Sequence, residues 1–237
     1  MSPLSRMLIA RVSALALFGV LVPIAANASS ILINGSFELH SADMPGSGEL
    51  LGGSTQVTGW IVTGSSNANN VIDWLGPGGG GPQWNASDGT HLVDLDGRDA
   101  LNGGLFQTFA TTVGQHYTVS FDLSGNPGDA PGNGLPRVKQ VRVAVGAFTQ
   151  DYQFDSTGLT TVTLRWQPIA FLFIASAASE TLSFTSLTPT ANSYGPLIDN
   201  VSISPTTTPV PEPSALLLLG SGLASAGVRR WQRRGEA

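Results

Sequence analysis

The sequence contains no cysteine. Disulfides, thiolate metal sites and thiol catalysis are all excluded. Charge is also scarce: 11% of the 237 residues are Asp, Glu, Lys or Arg, against 41% hydrophobic. That balance excludes a chain kept disordered by charge. The three histidines, His40, His91 and His116, are scattered. There is no G-x-S-x-G nucleophile elbow and no visible internal repeat. No stretch in the middle of the chain keeps an amphipathic 3.6-residue period. What is abundant is glycine (29) and proline (15) among short apolar runs, the composition of an all-β domain with long loops.

Basic residues are few where the chain folds. Between residues 29 and 210 there are five, Arg98, Arg137, Lys139, Arg142 and Arg165, against fourteen acidic ones. This acidic body argues against a nucleic-acid partner and suits cation binding or simple solubility.

The two ends read as addresses. Residues 1–28 carry Arg6 and Arg11, an apolar run over 12–22 and Ala26-Asn27-Ala28. That is the layout of a secretory signal, cut between Ala28 and Ser29. The plain alternative is an N-terminal anchor, for which the apolar run is short. Residues 205–213 form a Pro/Thr linker ending in Pro211-Glu212-Pro213. Residues 214–237 follow as a small apolar stretch and a basic end, Arg229-Arg230-Trp231-Gln232-Arg233-Arg234. Fifteen apolar residues are short for a stable span of about 20, and the arginines would stop transfer. The logic is that of a temporary anchor presenting a motif to a membrane enzyme. On the triplet, the apolar helix and the basic end, this tail resembles the PEP-CTERM sorting signal of Gram-negative bacteria. The resemblance implies export through the inner membrane, cleavage near the triplet by an exosortase, and a cell-surface or matrix location in a polysaccharide-producing organism.

Residues 29–204 read as one β-sandwich of nine to eleven strands. At its centre, 103–126 alternates Tyr117, Val119, Phe121 and Leu123 with Thr118, Ser120 and Asp122, one face buried and one wet. Leu105–Ala110 precedes it, and Val113-Gly114-Gln115 supplies a turn in which glycine takes positive φ. The expectation is a central hairpin. Further strands are read at 31–33, where Asn34-Gly35 turns the chain, and at 59–62, 71–74, 91–96, 138–145, 150–154, 159–166, 181–187 and 197–203. The apolar run 169–175 is read as a strand buried on both faces.

Asn34-Gly35-Ser36-Phe37-Glu38, Gly59-Trp60, Val93-Asp94-Leu95-Asp96-Gly97, the 103–126 stretch and Ile198-Asp199-Asn200-Val201 resemble the choice-of-anchor C family of exported proteins. The resemblance implies a jelly-roll sandwich of the galactose-binding-like kind, related to carbohydrate-binding modules. It implies that first and last strands meet, so that Glu38 and Asp199 hold a structural calcium with the Ser36 carbonyl, and with Asp88 or His91 nearby. The plain alternative is that both carboxylates cap turns through backbone hydrogen bonds.

Asp94, Asp96 and Asp99 do not make an EF-hand loop. They are expected as solvated carboxylates or as partners of Arg98. No closely spaced carboxylate pair of the glycosidase kind stands out, and the chain is read as a non-enzyme. Sugars stack on exposed aromatic rings. Trp74, Trp84, Tyr152 and Tyr194, in or beside loops, are the candidate glycan contacts, each weighed against packing under its loop. Two roles follow: a surface protein that binds extracellular polysaccharide, or a structural surface protein without a specific ligand. Exposed aromatics in one groove would favour the first.

Overall fold

The computed structural model describes residues 29–42, 46–63, 72–77, 84–97, 102–128, 136–159, 163–188 and 193–206. The signal segment, the sorting tail, Arg98 and Asp99 lie outside them. Eleven strands form among the described residues, all paired antiparallel in two sheets. The first sheet runs β1 (Gly48–Leu50), β3 (Ile72–Leu75), β4 (Leu92–Asp94), β11 (Pro196–Pro205), β6 (His116–Gly125), β9 (Gln167–Ile174). The second runs β2 (Ile61–Val62), β5 (Gly104–Ala110), β10 (Ser179–Ser186), β7 (Val138–Val145), β8 (Phe148–Asp155). This is an all-β jelly-roll sandwich.

Its core is the sum of the inward faces. Tyr117, Val119, Phe121 and Leu123 of β6 are buried against Val141, Val143 and Val145 of β7 and Leu182 and Phe184 of β10. Phe121 meets Tyr152 and Phe184 edge to face, at 5.6 and 5.1 Å between centroids. The period-2 reading of β6 is therefore correct in its face. Its pairing is not the expected one. β5 and β6 do not form a hairpin: β5 pairs with β2 and β10, β6 with β11 and β9. The 111–115 connection arches from one sheet to the other, across the roughly 10 Å that separates packed sheets. Gly114 does take positive φ (80°). The tight hairpin is β7–β8, closed by Gly146-Ala147 with Gly146 at φ 55°, the glycine-first pattern of a two-residue loop.

Three other expectations are corrected. β9 is not buried on both faces. It is the edge of the first sheet, with Ile169 and Phe173 inward and Leu172 and Ile174 out. Segment 31–33 is not a strand, though the chain does turn after it; the opening segment runs beside β11 through single bonds, Ile31 N to Ile203 O and Val201 N to Gly35 O. Asp94 and Asp96 are not solvated: both are fully buried.

The opening motif explains itself in this frame. Asn34 (φ 56°) ties the turn, its side chain accepting from the Leu39 amide and donating to the Leu39 and Thr58 carbonyls. A Cβ on Gly35 would lie 1.8 Å from the Val201 carbonyl oxygen, so only glycine fits. Phe37 is fully buried, and its carbonyl accepts from the Trp74 indole at 2.9 Å.

Candidate functional site

The loop 84–91 lies over the outer face of the first sheet. Beneath it Leu75, Leu92 and Leu197 form a small second core, covered by Trp84, Ala86, Leu164 and Trp166. The Trp166 indole donates to the Asn85 carbonyl at 3.0 Å. Two carboxylates clamp the turn that follows. Asp199 Oδ2 accepts from the amides of Ser87 (2.6 Å) and Asp88 (2.9 Å). Glu38 Oε1 accepts from the amides of Thr90 (2.6 Å) and His91 (2.7 Å), and Oε2 meets the Thr90 hydroxyl and His91 Nδ1. The His91 ring lies flat on Trp74, 4.2 Å between centroids.

The two carboxylates feel opposite environments. Burial of Glu38 alone would raise its carboxyl, but the bonds from His91 and Thr90 prevail and hold it down to about 2. At Asp199 burial prevails over the three backbone amides and pushes the carboxyl up to about 7.

The structure thus brings Glu38, Asp88, His91 and Asp199 to one turn. They do not converge on a shared cation position: both Glu38 oxygens and Asp199 Oδ2 are engaged by N–H or O–H donors. Among the described residues no group of three or more His, Asp or Glu side chains is placed to hold a metal ion. As arranged, these oxygens already accept hydrogen bonds, and a hard cation held here would have to displace those donors. Ser36 is half-buried and is not among the hydrogen-bond partners of the two clamping carboxylates.

The candidate glycan aromatics do not share a groove. Trp74 is fully buried, which removes it as a platform. Trp84 is half-buried over the second core. Tyr152 packs at the rim of the main core against Phe121 and Phe171. Tyr194 lies at the far end of the sandwich, its carbonyl accepting from the buried Lys139 ammonium. There Asp94 accepts from the Asp96 and Gly195 amides and from Asn126. Burial lifts Asp94 well above the usual carboxylate range and Asp96 to about 7. It lowers Lys139, against the pull of both aspartates.

Beside the clamped turn the outer face is open. β11 carries one extra residue between Asp199 and Ser202. The bulge sets Asn200 at φ 51° and turns its side chain outward. Asn200 Nδ2 donates to Asp122 Oδ2 at 3.0 Å, and the Ser87 hydroxyl donates to the same oxygen. Directly across from Ser120 and Asp122 stand Ala170 and Pro168 of the edge strand. Together these residues line a shallow open groove. Asp122 was visible on the wet face of its strand. Nothing local placed Asn200, Pro168 and Ala170 beside it, because strand order decides that.

The family model described as "Protein of unknown function (DUF642)" matches residues 30–204. The chain belongs to the DUF642 family. A second match, "PEP-CTERM protein-sorting motif", covers residues 209–234 of this DUF642 protein. The tail thus carries an exosortase sorting signal, which indicates export to the surface or beyond. Halomucin of Haloquadratum walsbyi is 28% identical over 208 residues, 86% of this chain. The chain spans about 2% of that relative's length. Among solved structures, TmCBM61 in complex with beta-1,4-galactotriose is 17% identical, with 75% of this chain and 99% of that one covered and a TM-score of 0.46. A CBM22-1 xylan-binding domain from Paenibacillus barcinonensis is 18% identical, covering 78% and 99%, with a TM-score of 0.44.

Proposed function

We propose that this protein is an exported, exosortase-processed, non-catalytic surface protein whose sandwich binds extracellular polysaccharide through the groove on its first sheet. The observation that carries the reading is the pairing of Asp122 and Asn200 with the apolar ledge of Pro168 and Ala170. A sugar ring offers hydroxyls along its edge and C–H bonds on its face. A few fixed polar groups beside an apolar wall match both. The bulge at Asn200 supports the same reading, since it aims a polar side chain into the groove at the cost of a regular ladder.

Affinity electrophoresis through gels containing galactan, xylan or the producing organism's own exopolysaccharide tests this. Retardation by at least one is expected. It should be lost in Asn200→Gly, which keeps the positive φ and removes the amide. It should also be lost in Ala170→Asp, which charges the ledge. Mobility unchanged in every gel would remove the glycan.

A structural surface role without a ligand is favoured by one observation: the four candidate aromatics do not meet in a groove. Processing is common to both readings. The mature protein is expected to lack residues 1–28 and everything beyond about residue 213. Its intact mass checks this, and a mature species retaining Trp231 would contradict it.

A further inference from the structure

One end of the sandwich differs from the rest of the surface. The described chain ends there: the Thr206 amide donates to the His116 carbonyl, and Gln115 donates to the Thr206 carbonyl. The arch between β5 and β6 lies beside this exit, the Gly114 amide donating to Ala175 and the Ala175 amide to Gln115. Its tip is Val113, at 63% exposure the most exposed large hydrophobic side chain among the described residues. Ile174, paired with His116 at the end of β9, is 56% exposed, and Leu172, on the same outer face, is 58% exposed.

This end is also uncharged. Residues 111–120, 144–149, 172–179 and 202–206 contain no Asp, Glu, Lys or Arg. Glu180 is turned in, accepting from the Ser176 and Ala177 amides, which leaves His116 as the exposed titratable side chain. The opposite end holds Arg137, Lys139, Asp94, Asp96 and Asp155. Three of the nine exposed large hydrophobic side chains among the described residues, Val113, Leu172 and Ile174, thus lie together where charge is absent and the tail departs. Exposed apolar residues gathered in one place mark an interaction surface.

Between Thr206 and the apolar run that begins at Ala215 lie eight residues, which reach about 28 Å at full extension. While the tail is in the bilayer, this end cannot stand further off than that. We propose that the end bearing Val113, Leu172 and Ile174 docks on the lipid bilayer itself while the uncut tail holds the protein there. The domain then stands upright on the membrane, with its glycan groove beside it and the sorting triplet in the gap beneath. This rests on the tail acting as a membrane anchor. With no basic residue at the contact, docking depends on apolar insertion and not on anionic lipid.

The absence of cysteine makes the test clean. Val113→Cys, Ile174→Cys and, at the far end, exposed Thr157→Cys each carry one environment-sensitive fluorophore. The tail-bearing chain is reconstituted into phosphatidylethanolamine/phosphatidylglycerol vesicles containing nitroxide-labelled lipid. Cofloatation with the vesicles reports the anchor, and quenching reports the docked face. Quenching several-fold stronger at positions 113 and 174 than at 157 is expected. It should be unchanged in high salt and in vesicles of phosphatidylethanolamine/phosphatidylcholine. Leu172→Asp should relieve the quenching at 113 without loss of cofloatation. Cofloatation with equal quenching at all three positions overturns the docked face and leaves the anchor intact. Failure to cofloat overturns the anchor, and the docked face with it. Quenching at 113 and 174 that requires added exosortase would assign this end to the enzyme and not to lipid.

Discussion

Glu38 and Asp199 hold opposite ends of one turn: Asp199 takes the amides of Ser87 and Asp88, Glu38 those of Thr90 and His91. Residues 161 positions apart in the chain thereby fix the loop that covers the first sheet. If the carboxylates serve the turn alone, the domain melts at the same temperature in chelator and in millimolar calcium. Structural calcium at these residues is a separate proposal and forecasts a rise, about 2.7 kcal/mol at a hundredfold excess over Kd. Glu38→Gln and Asp199→Asn would each abolish that rise. The engaged donors favour the first outcome, and thermal melts in the two buffers decide it.

Gly35 faces the Val201 carbonyl with no room for a methyl group. Gly35→Ala must push the opening segment off β11, breaking the Val201–Gly35 bond and loosening the buried Phe37. A loss of about 3 kcal/mol or more is expected from backbone displacement at a core contact. Chemical denaturation measures it, and a loss within 0.5 kcal/mol, the usual surface range, would show that the closure is soft.

Phe121 and its neighbour Ser120 lie on opposite faces of β6. Phe121→Ala removes a fully buried ring from between Tyr152 and Phe184 and should cost about 3–5 kcal/mol. Ser120→Ala, on the outer face, should cost under about 0.5 kcal/mol. Equal losses in a denaturant titration would contradict the register of β6 against β11.

The buried aspartates give stability an unusual slope with pH. Asp96 and Asp199 titrate near 7 in the folded state, and Asp94 well above its ordinary 3.8. For a carboxyl raised by folding, stability is full below the unfolded value and is lost as pH climbs towards the folded one. Glu38, lowered to about 2 from 4.5, acts the other way and loses its contribution as pH falls through that window. Stability should therefore be greatest near about pH 4–5 and decline towards pH 7. Asp96→Asn, which imitates the protonated acid, should flatten part of that decline. A stability curve that rises from pH 4 to 7 would refute it.

Much that is local was legible in the chain alone. Alternation in 116–125 and 138–145 set which side chains enter the core, because side chains of a strand point alternately to its two faces whatever it pairs with. The family resemblance of the opening and closing motifs implied that they meet, and Gly35 against Val201 is that meeting. The sorting signal was legible because it is read as a linear string and not as a fold. Tertiary structure alone decided the rest. Alternation names a face but no partner, so β5 and β6 separated into two sheets where adjacency suggested a hairpin. A continuous apolar run does not say whether a strand is central or at an edge, and β9 became an edge with Leu172 and Ile174 in solvent. Which donors reach a carboxylate depends on distant segments: Glu38 and Asp199 found four backbone amides of one turn, and Asp94 and Asp96 lost their water to β10 and the loops around Asn126 and Gly195.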